Sequence, residues 1–133
     1  QAPLIKWCNE KGIPFFSYMV LEQGALSGRY NHENSFPPFC MRAFNFPKSK
    51  FRKISPLLEL MSTLAEKYQV SASQIPIAWA IAKGTIPLIG LTRPSYAEDL
   101  LAGTRIQLTQ DEINALDRSA QSSGVVIKGV WEP

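Results

Sequence analysis

Apolar and polar residues follow a helical period over some stretches of the chain and form short apolar runs over others. A stripe recurring every three or four positions predicts an amphipathic helix over residues 53–68, through Ile54, Leu57, Leu58, Met61, Leu64, Ala65 and Tyr68. Two shorter runs, over residues 13–20 and 85–89, are too apolar for one wet face and predict buried strands. The pattern thus predicts helices around a small parallel sheet.

The remaining elements follow from start and stop signals. An amphipathic segment at the beginning of the chain predicts a helix that Gly12 closes. Either Ser71 or Ser73 opens a helix whose run from Ile75 to Ala82 is apolar on all sides, so we expect it to be buried against the sheet and a neighbouring helix, with Trp79 in packing contact.

Further along the chain, Pro94 suits the first position of a helix that continues to Gly103. Thr109 and Glu112 form a capping box that opens the final helix. Residues 31–52, with three prolines and no clear period, predict a long loop.

Composition changes the picture little. The chain has 133 residues, which suits one domain, and fourteen Lys and Arg against eleven Asp and Glu give a net charge of +3. That charge is too small to indicate nucleic acid by itself. Cys8 and Cys40 lack metal-ligand spacing and predict free thiols in a reducing compartment. With no membrane-length apolar run, we expect a cytoplasmic protein that does not contact membranes.

Two loops carry the candidate chemistry. Tyr18 lies near the end of the first predicted strand. A small-residue loop follows this strand, and in it Ser27 and Arg29 offer phosphate contacts. Gly90, Thr92 and Arg93 lie between the second strand and a helix entrance, where free N–H groups and the helix dipole favour an anion. Both loops have an ordinary alternative interpretation as structural turns. Taken together, they predict a phosphate site at the carboxyl end of the sheet.

The residues from Tyr18 to Tyr30, followed by Ala78-Trp79-Ala80-Ile81-Ala82-Lys83-Gly84 and by Pro87-Leu88-Ile89-Gly90-Leu91-Thr92-Arg93, resemble the carboxyl-terminal half of an aldo-keto reductase. The resemblance covers nearly the whole chain. It implies an α/β fold, the carboxyl-terminal half of a (β/α)₈ TIM barrel, which is helix-rich and incomplete here with two parallel strands. It also implies NADP(H) as cofactor and the reduction of aldehydes or ketones.

The resemblance implies a role for eleven residues in binding that cofactor. Tyr18 would stack on the nicotinamide, and Arg42 would contact the cofactor from the long loop. The pyrophosphate side would be lined by Leu21, Gln23, Ser27 and Arg29, and the 2′-phosphate and adenine end by Gly90, Thr92, Arg93, Tyr96 and Asp99. The family often has Glu in place of Asp99 and usually has Asn in place of Leu100.

The resemblance assigns no catalytic residue to this chain. The family's Tyr, Lys, Asp and His come from earlier strands, and none of Tyr18, Tyr30, Tyr68 and Tyr96 matches the catalytic position. We therefore expect an inactive portion of the barrel that needs its amino-terminal half or associates with itself. Its single domain, 1–133, divides into a helix end, strand and phosphate loop (1–30), long loop (31–52), helix pair (53–83), strand, loop and helix (84–103), and final helix and tail (109–133).

Two other functions remain open. The chain could be a binding or assembly module that keeps a nucleotide pocket without chemistry. Alternatively, cations from Arg42 to Lys53, interleaved with Phe44, Phe46 and Phe51, could bind single-stranded nucleic acid. His32 beside Glu33 predicts an exposed polar loop rather than a metal site. Trp131 in the tail either shapes a substrate pocket or packs on the outer helices.

Overall fold

The computed structural model describes residues 2–91 and 93–126. Six helices, two short strands and two 3₁₀ turns follow one another along these residues. They are α1 (Ala2–Glu10), β1 (Phe16–Ser17), a 3₁₀ turn (Glu22–Gly24), α2 (Met41–Asn45), α3 (Lys48–Tyr68), α4 (Gln74–Ala82), β2 (Ile86–Pro87), α5 (Ser95–Ala102), a 3₁₀ turn (Gly103–Arg105) and α6 (Gln110–Ser122).

Helix α3 is the centre of the hydrophobic core. It begins at Lys48 rather than at residue 53, because Phe51 already continues the buried stripe. It ends at Tyr68. The next residue, Gln69, is the C-cap in a left-handed conformation (φ 55°), and its N–H bonds to the carbonyls of Ala65 and Glu66. The predicted loop over residues 31–52 is therefore wrong at its end, which contains α2 and the first turn of α3.

Helices α4 and α6 complete the core beside α3. Ile75 and Ile77 of α4 are almost fully buried, as is Leu116 of α6. The expectation that α4 is buried on all sides holds only for its first half, since Ile81 is exposed. Ser73 occupies the N-cap position of α4 but its side chain makes no capping bond.

Polar side chains attach α6 to the other two helices. The predicted capping box is present, with Thr109 accepting from the Glu112 N–H and Glu112 accepting from the Thr109 N–H at 2.8 Å. Glu112 also accepts from Lys67 Nζ and Tyr68 Oη, each at 2.6 Å. Although burial would raise it, these hydrogen bonds hold the pKa of Glu112 at about 2.

Trp79 packs against the core as expected, and it has a second role. Its Nε1 donates to Asp117 at 2.9 Å, and Lys83 forms an ion pair with the same carboxylate. The indole therefore links α4 to α6 through a hydrogen bond as well as through apolar contact.

The sheet is parallel and much shorter than predicted. Phe16 pairs with Ile86 and Ser17 with Pro87, through the Ile86 N–H to Phe15 and the Leu88 N–H to Ser17. Alternate side chains lie on one uncovered face, with exposed fractions of 46–58% for Phe16, Tyr18, Ile86 and Leu88. The prediction of buried strands is wrong for this face, because no other strand in residues 2–91 and 93–126 covers it.

The helices of the described residues were also compared with the requirements of a bilayer. None of them combines the length and the apolar character that crossing a membrane would need.

Candidate functional site

A cavity of about 770 Å³ opens where both strands end. The loop after β1 and the loop after β2 form two of its sides, and the turn before α4 and the inner face of α5 form the others. Eight of the eleven residues that the sequence singled out line it: Leu21, Gln23, Ser27, Arg29, Arg42, Gly90, Tyr96 and Asp99. Residues 70 positions apart are thus brought to one cleft.

Two arginines from different loops meet at the Tyr96 ring. The guanidinium carbons of Arg29 and Arg93 each lie 5.9 Å from the centroid of this ring, and Arg29 Nη1 donates to Tyr96 Oη at 3.4 Å. Both guanidinium groups are exposed, so their remaining N–H donors are accessible to an anion. Positive charge is therefore concentrated where the two loops approach each other.

Arg42 adds a third guanidinium to the cavity. Its Cζ lies 5.0 Å from the ring centroid of Phe36, which is buried in the core. This cation–π contact connects an exposed side chain of helix α2 to the core. The long loop thus contributes to the cavity wall.

The loop between β1 and Ser27 has an unusual backbone. Met19, Glu22 and Gln23 have φ values of 58°, 46° and 56°, and Gly24 follows at 99°. Left-handed conformations at non-glycine residues are costly and are concentrated at functional sites. In this loop they turn the chain back so that Leu21, Gln23 and Gly24 all line the cavity.

Glu22 lies in this strained loop. Burial raises the pKa of its carboxyl to about 7, although the nearby Lys50 ammonium lowers it. The carboxyl therefore changes its charge near neutral pH, next to residues that line the cavity.

Two of the predicted residues that the structure describes, Tyr18 and Arg93, do not line the cavity. Tyr18 is 58% exposed on the uncovered face of the sheet. Arg93 reaches the Tyr96 ring from outside the lining set. Thr92 and Trp131 lie outside the described residues. Ser27 lines the cavity, but its hydroxyl donates to the Gly24 carbonyl at 2.6 Å, so this donor is engaged within the loop.

A polar network between α5 and the turn before α4 was not found from the sequence. Ser71 and Ser73 line the cavity beside Asp99, and Gln74 donates to Asp99 from the first turn of α4. The available signal was a glutamine at the start of an otherwise apolar helix. Of the two serines that could open this helix, Ser73 holds the N-cap position, and the Gln74 side chain bonds to Asp99 instead of capping the helix.

The structure weakens the nucleic-acid hypothesis, because most of the aromatic residues on which it depends are buried. Phe46 and Phe51 are buried in the core with exposed fractions of 4% and 0%, which leaves Phe44 as the one exposed ring of that set. Bases therefore cannot stack along this set of three aromatic residues.

His32 lies on the surface near Ser55 and Glu33. Within residues 2–91 and 93–126, no cluster of three or more His, Cys, Asp or Glu could hold a metal.

A family model described as "Aldo/keto reductase family" matches residues 1–121. The chain belongs to the aldo-keto reductase family. The sequence resemblance to an aldo-keto reductase is therefore confirmed.

Two curated relatives show how much of a longer protein the chain represents. It is 34% identical to chloroplastic pyridoxal reductase of Arabidopsis thaliana over 92% of this chain and 33% of that protein. It is 24% identical to aldo-keto reductase yakc [NADP(+)] of Schizosaccharomyces pombe, over 95% and 38% of the two chains. The chain spans about a third of the length of these relatives.

The solved glycerol dehydrogenase of Gluconobacter oxydans is similar with a TM-score of 0.74 at 23% identity, over 97% of this chain and 41% of that one. The predicted fold class, the carboxyl-terminal half of a (β/α)₈ barrel with two parallel strands, is confirmed.

Proposed function

We propose that this chain supplies the NADP(H)-binding part of an aldo-keto reductase that reduces aldehydes or ketones to alcohols. The observation that carries the proposal is the convergence of Arg29 and Arg93 on the Tyr96 ring, at the rim of a cavity at the carboxyl ends of two parallel strands. In α/β sheets this edge is where nucleotides bind.

The cavity has two chemically different walls. The side with the arginines offers N–H donors that match phosphate oxygens. The part formed by α5 and the turn before α4 offers the Asp99 carboxylate and the Ser71 and Ser73 hydroxyls, which accept hydrogen bonds from amino or hydroxyl groups. A nucleotide with a phosphate near one end and an amino-bearing base near the other fits both walls. NADP(H) has this arrangement at its adenosine 2′-phosphate end.

Binding is tested by titrating NADP⁺ and NAD⁺ into the full chain by calorimetry. We expect NADP⁺ to bind more tightly, since only it carries the 2′-phosphate. Arg93→Gln and Arg29→Gln should each weaken NADP⁺ binding about tenfold, in line with the loss of one charged hydrogen bond. Arg118→Gln is the matched control, because Arg118 is an exposed cation on α6 that does not line the cavity. Equal affinity of all four proteins for NADP⁺ would remove the proposal.

Under the proposal, the catalytic groups for carbonyl reduction come from outside this chain. The cofactor provides a hydride when bound, and the family's Tyr, Lys, Asp and His would come from the other part of the barrel. This chain's residues would hold the phosphates, orient the adenine and exclude water from that end of the cofactor. Under the proposal, the chain by itself oxidises no NADPH.

Complementation tests this division of roles. Co-folding the chain with the amino-terminal part of Arabidopsis pyridoxal reductase should restore oxidation of NADPH by pyridoxal, an aldehyde that one relative's name makes the first substrate to try. Neither part should be active alone. A chain that binds NADP⁺ but never restores activity would instead support a binding or assembly module, the second candidate, which the uncovered sheet face favours.

A further inference from the structure

Four side chains form a continuous hydrogen-bonded network where α5 meets the turn before α4. Ser71, Ser73 and Asp99 line the cavity there, and Gln74 lies outside its lining. The hydroxyls of Ser71 and Ser73 are 2.8 Å apart, and Ser71 Oγ donates to Asp99 Oδ2 at 3.2 Å. Gln74 Nε2 donates to Asp99 Oδ1 at 2.7 Å and to its backbone carbonyl at 2.6 Å. The Asp99 carboxylate is therefore held at both of its oxygens.

Gln74 occupies a position that is unusual for an amide. It is 4% exposed in the first turn of α4, and it packs so closely under Gly103 that a Cβ added there would come within 3.2 Å of the Gln74 Cβ. Its Oε1 has no hydrogen-bond partner among the described residues. A buried acceptor without a partner costs free energy, so an apolar side chain would serve core packing at least as well. What the amide provides here is the pair of bonds to Asp99.

The two donors leave Asp99 with a defined binding preference. Each carboxylate oxygen can accept two hydrogen bonds, and each already accepts one from the protein. Asp99 is exposed on the cavity wall, so the free lone pairs are accessible to a ligand. An ionised carboxylate accepts and cannot donate, so it attracts an amino group and repels a carbonyl oxygen.

We propose that Gln74, assisted by Ser71, is a positioning residue that orients Asp99 so that the pocket selects a purine with an exocyclic amino group over one with a carbonyl at that position. This inference rests on the proposed nucleotide-binding function. It adds the basis of base selectivity and assigns it to a residue that does not itself line the cavity. Gln74 acts only through Asp99.

The test compares two cofactors that differ in one group. NADP⁺ carries the amino group, and nicotinamide hypoxanthine dinucleotide phosphate carries a carbonyl oxygen in its place. The full chain should bind NADP⁺ roughly tenfold more tightly, which is the effect of one charged hydrogen bond. Gln74→Met, which keeps length and removes the amide, should reduce this preference to about twofold. The loss should appear in the NADP⁺ affinity, with the affinity for the hypoxanthine cofactor nearly unchanged.

Two controls separate positioning from a structural role. Ser119→Ala removes the other buried side-chain oxygen that has no partner in the described residues, and it should leave the cofactor preference intact. A double-mutant cycle places Gln74→Met on an Asp99→Ala background, where it should have no further effect on the preference. Because Gln74→Met removes an unpartnered oxygen, we expect its melting temperature to stay within about 3 °C of the parent chain.

Each outcome of this experiment decides something. A parent chain that binds both cofactors equally, or a Gln74→Met chain that keeps the full preference, overturns the inference while leaving the nucleotide site standing. An additive effect in the cycle also overturns it. A parent chain that binds neither cofactor removes the proposed function and this inference together. If Gln74→Met does not fold, Ser71→Ala decides, with an expected loss of about threefold in preference and none if the inference is wrong.

Discussion

The helical layer and the two-stranded sheet of this chain differ in how completely their apolar side chains are buried. In the helical layer, Phe51 of α3, Ile75 of α4 and Leu116 of α6 each have an exposed fraction of 0%. In the sheet, Phe16 and Ile86 face each other in register and are 56% and 46% exposed. The difference shows that the helices bury their apolar stripes against one another, whereas the sheet keeps an apolar face that further strands of a barrel would cover.

The largest effect is expected from the core of the helical layer. Phe51 packs against Phe36 and Phe46 with ring centroids 5.6 and 5.1 Å apart. Phe51→Ala should therefore lower the free energy of unfolding by about 3–5 kcal/mol, as measured by denaturant titration. Phe44→Ala removes the same side chain from an 86% exposed position and should change stability by less than about 0.5 kcal/mol. Similar losses for both variants would contradict the assigned core.

The second effect tests the polar connection between α3 and α6. Glu112→Gln should cost about 1–3 kcal/mol at pH 7, because it removes a charged acceptor shared by Lys67 and Tyr68. The pKa of Glu112 is about 2, below its ordinary value of 4.5, so the stabilisation is complete above about pH 4.5 and disappears as the pH falls towards 2. Melting temperatures of the two proteins should converge over that range. A constant difference from pH 7 to pH 2 would show that Glu112 does not act through its charge.

A smaller effect is expected at the uncovered sheet face. If this face drives self-association, Phe16→Lys should weaken association of the chain about tenfold, as measured by sedimentation equilibrium. Leu101→Lys is the control, since Leu101 is 62% exposed and belongs to α5 rather than to the sheet. A parent chain that stays monomeric at all concentrations would show that the open face does not drive association.

The smallest effect concerns the strained loop after β1. The pKa of Glu22 is raised to about 7, so its carboxyl is protonated in the folded chain below that pH and charged above it. Stability from this group is therefore lost as the pH rises from about 4.5 to 7. Glu22→Gln should raise the melting temperature by about 3 °C at pH 8 and leave it unchanged at pH 5. An equal gain at both pH values would remove the carboxyl as the cause.

The sequence was most informative where the governing interactions are local. The Thr109–Glu112 capping box and the stripe through Leu57, Met61 and Leu64 act within a few residues, and the structure has both. The start of α3 before residue 53 could also be predicted from the sequence, because Phe51 and Ile54 continue the same apolar stripe. The length of the strands could not be predicted from the sequence, since strand length depends on partner strands elsewhere in a barrel.

The candidate site shows the same division. Glycines and arginines at the strand ends indicated two walls of the cavity, because a strand, a loop and a helix entrance are local signals. The polar network of Ser71 and Gln74 depends on contacts with Asp99, which lies 25 residues beyond Gln74 in the sequence. The periodic pattern of apolar residues carries no information about a contact between residues so far apart in the sequence.

Thr85 connects the two regions through one hydroxyl. It is 6% exposed, donates to the Ala80 carbonyl at 2.8 Å and lies 2.9 Å from the Ser17 hydroxyl. Because the Thr85 hydroxyl donates its proton to α4, it accepts the hydrogen bond that it shares with Ser17. One hydroxyl thus joins the last turn of α4 to the first strand, so the helical layer supports the alignment of the two strands within this chain.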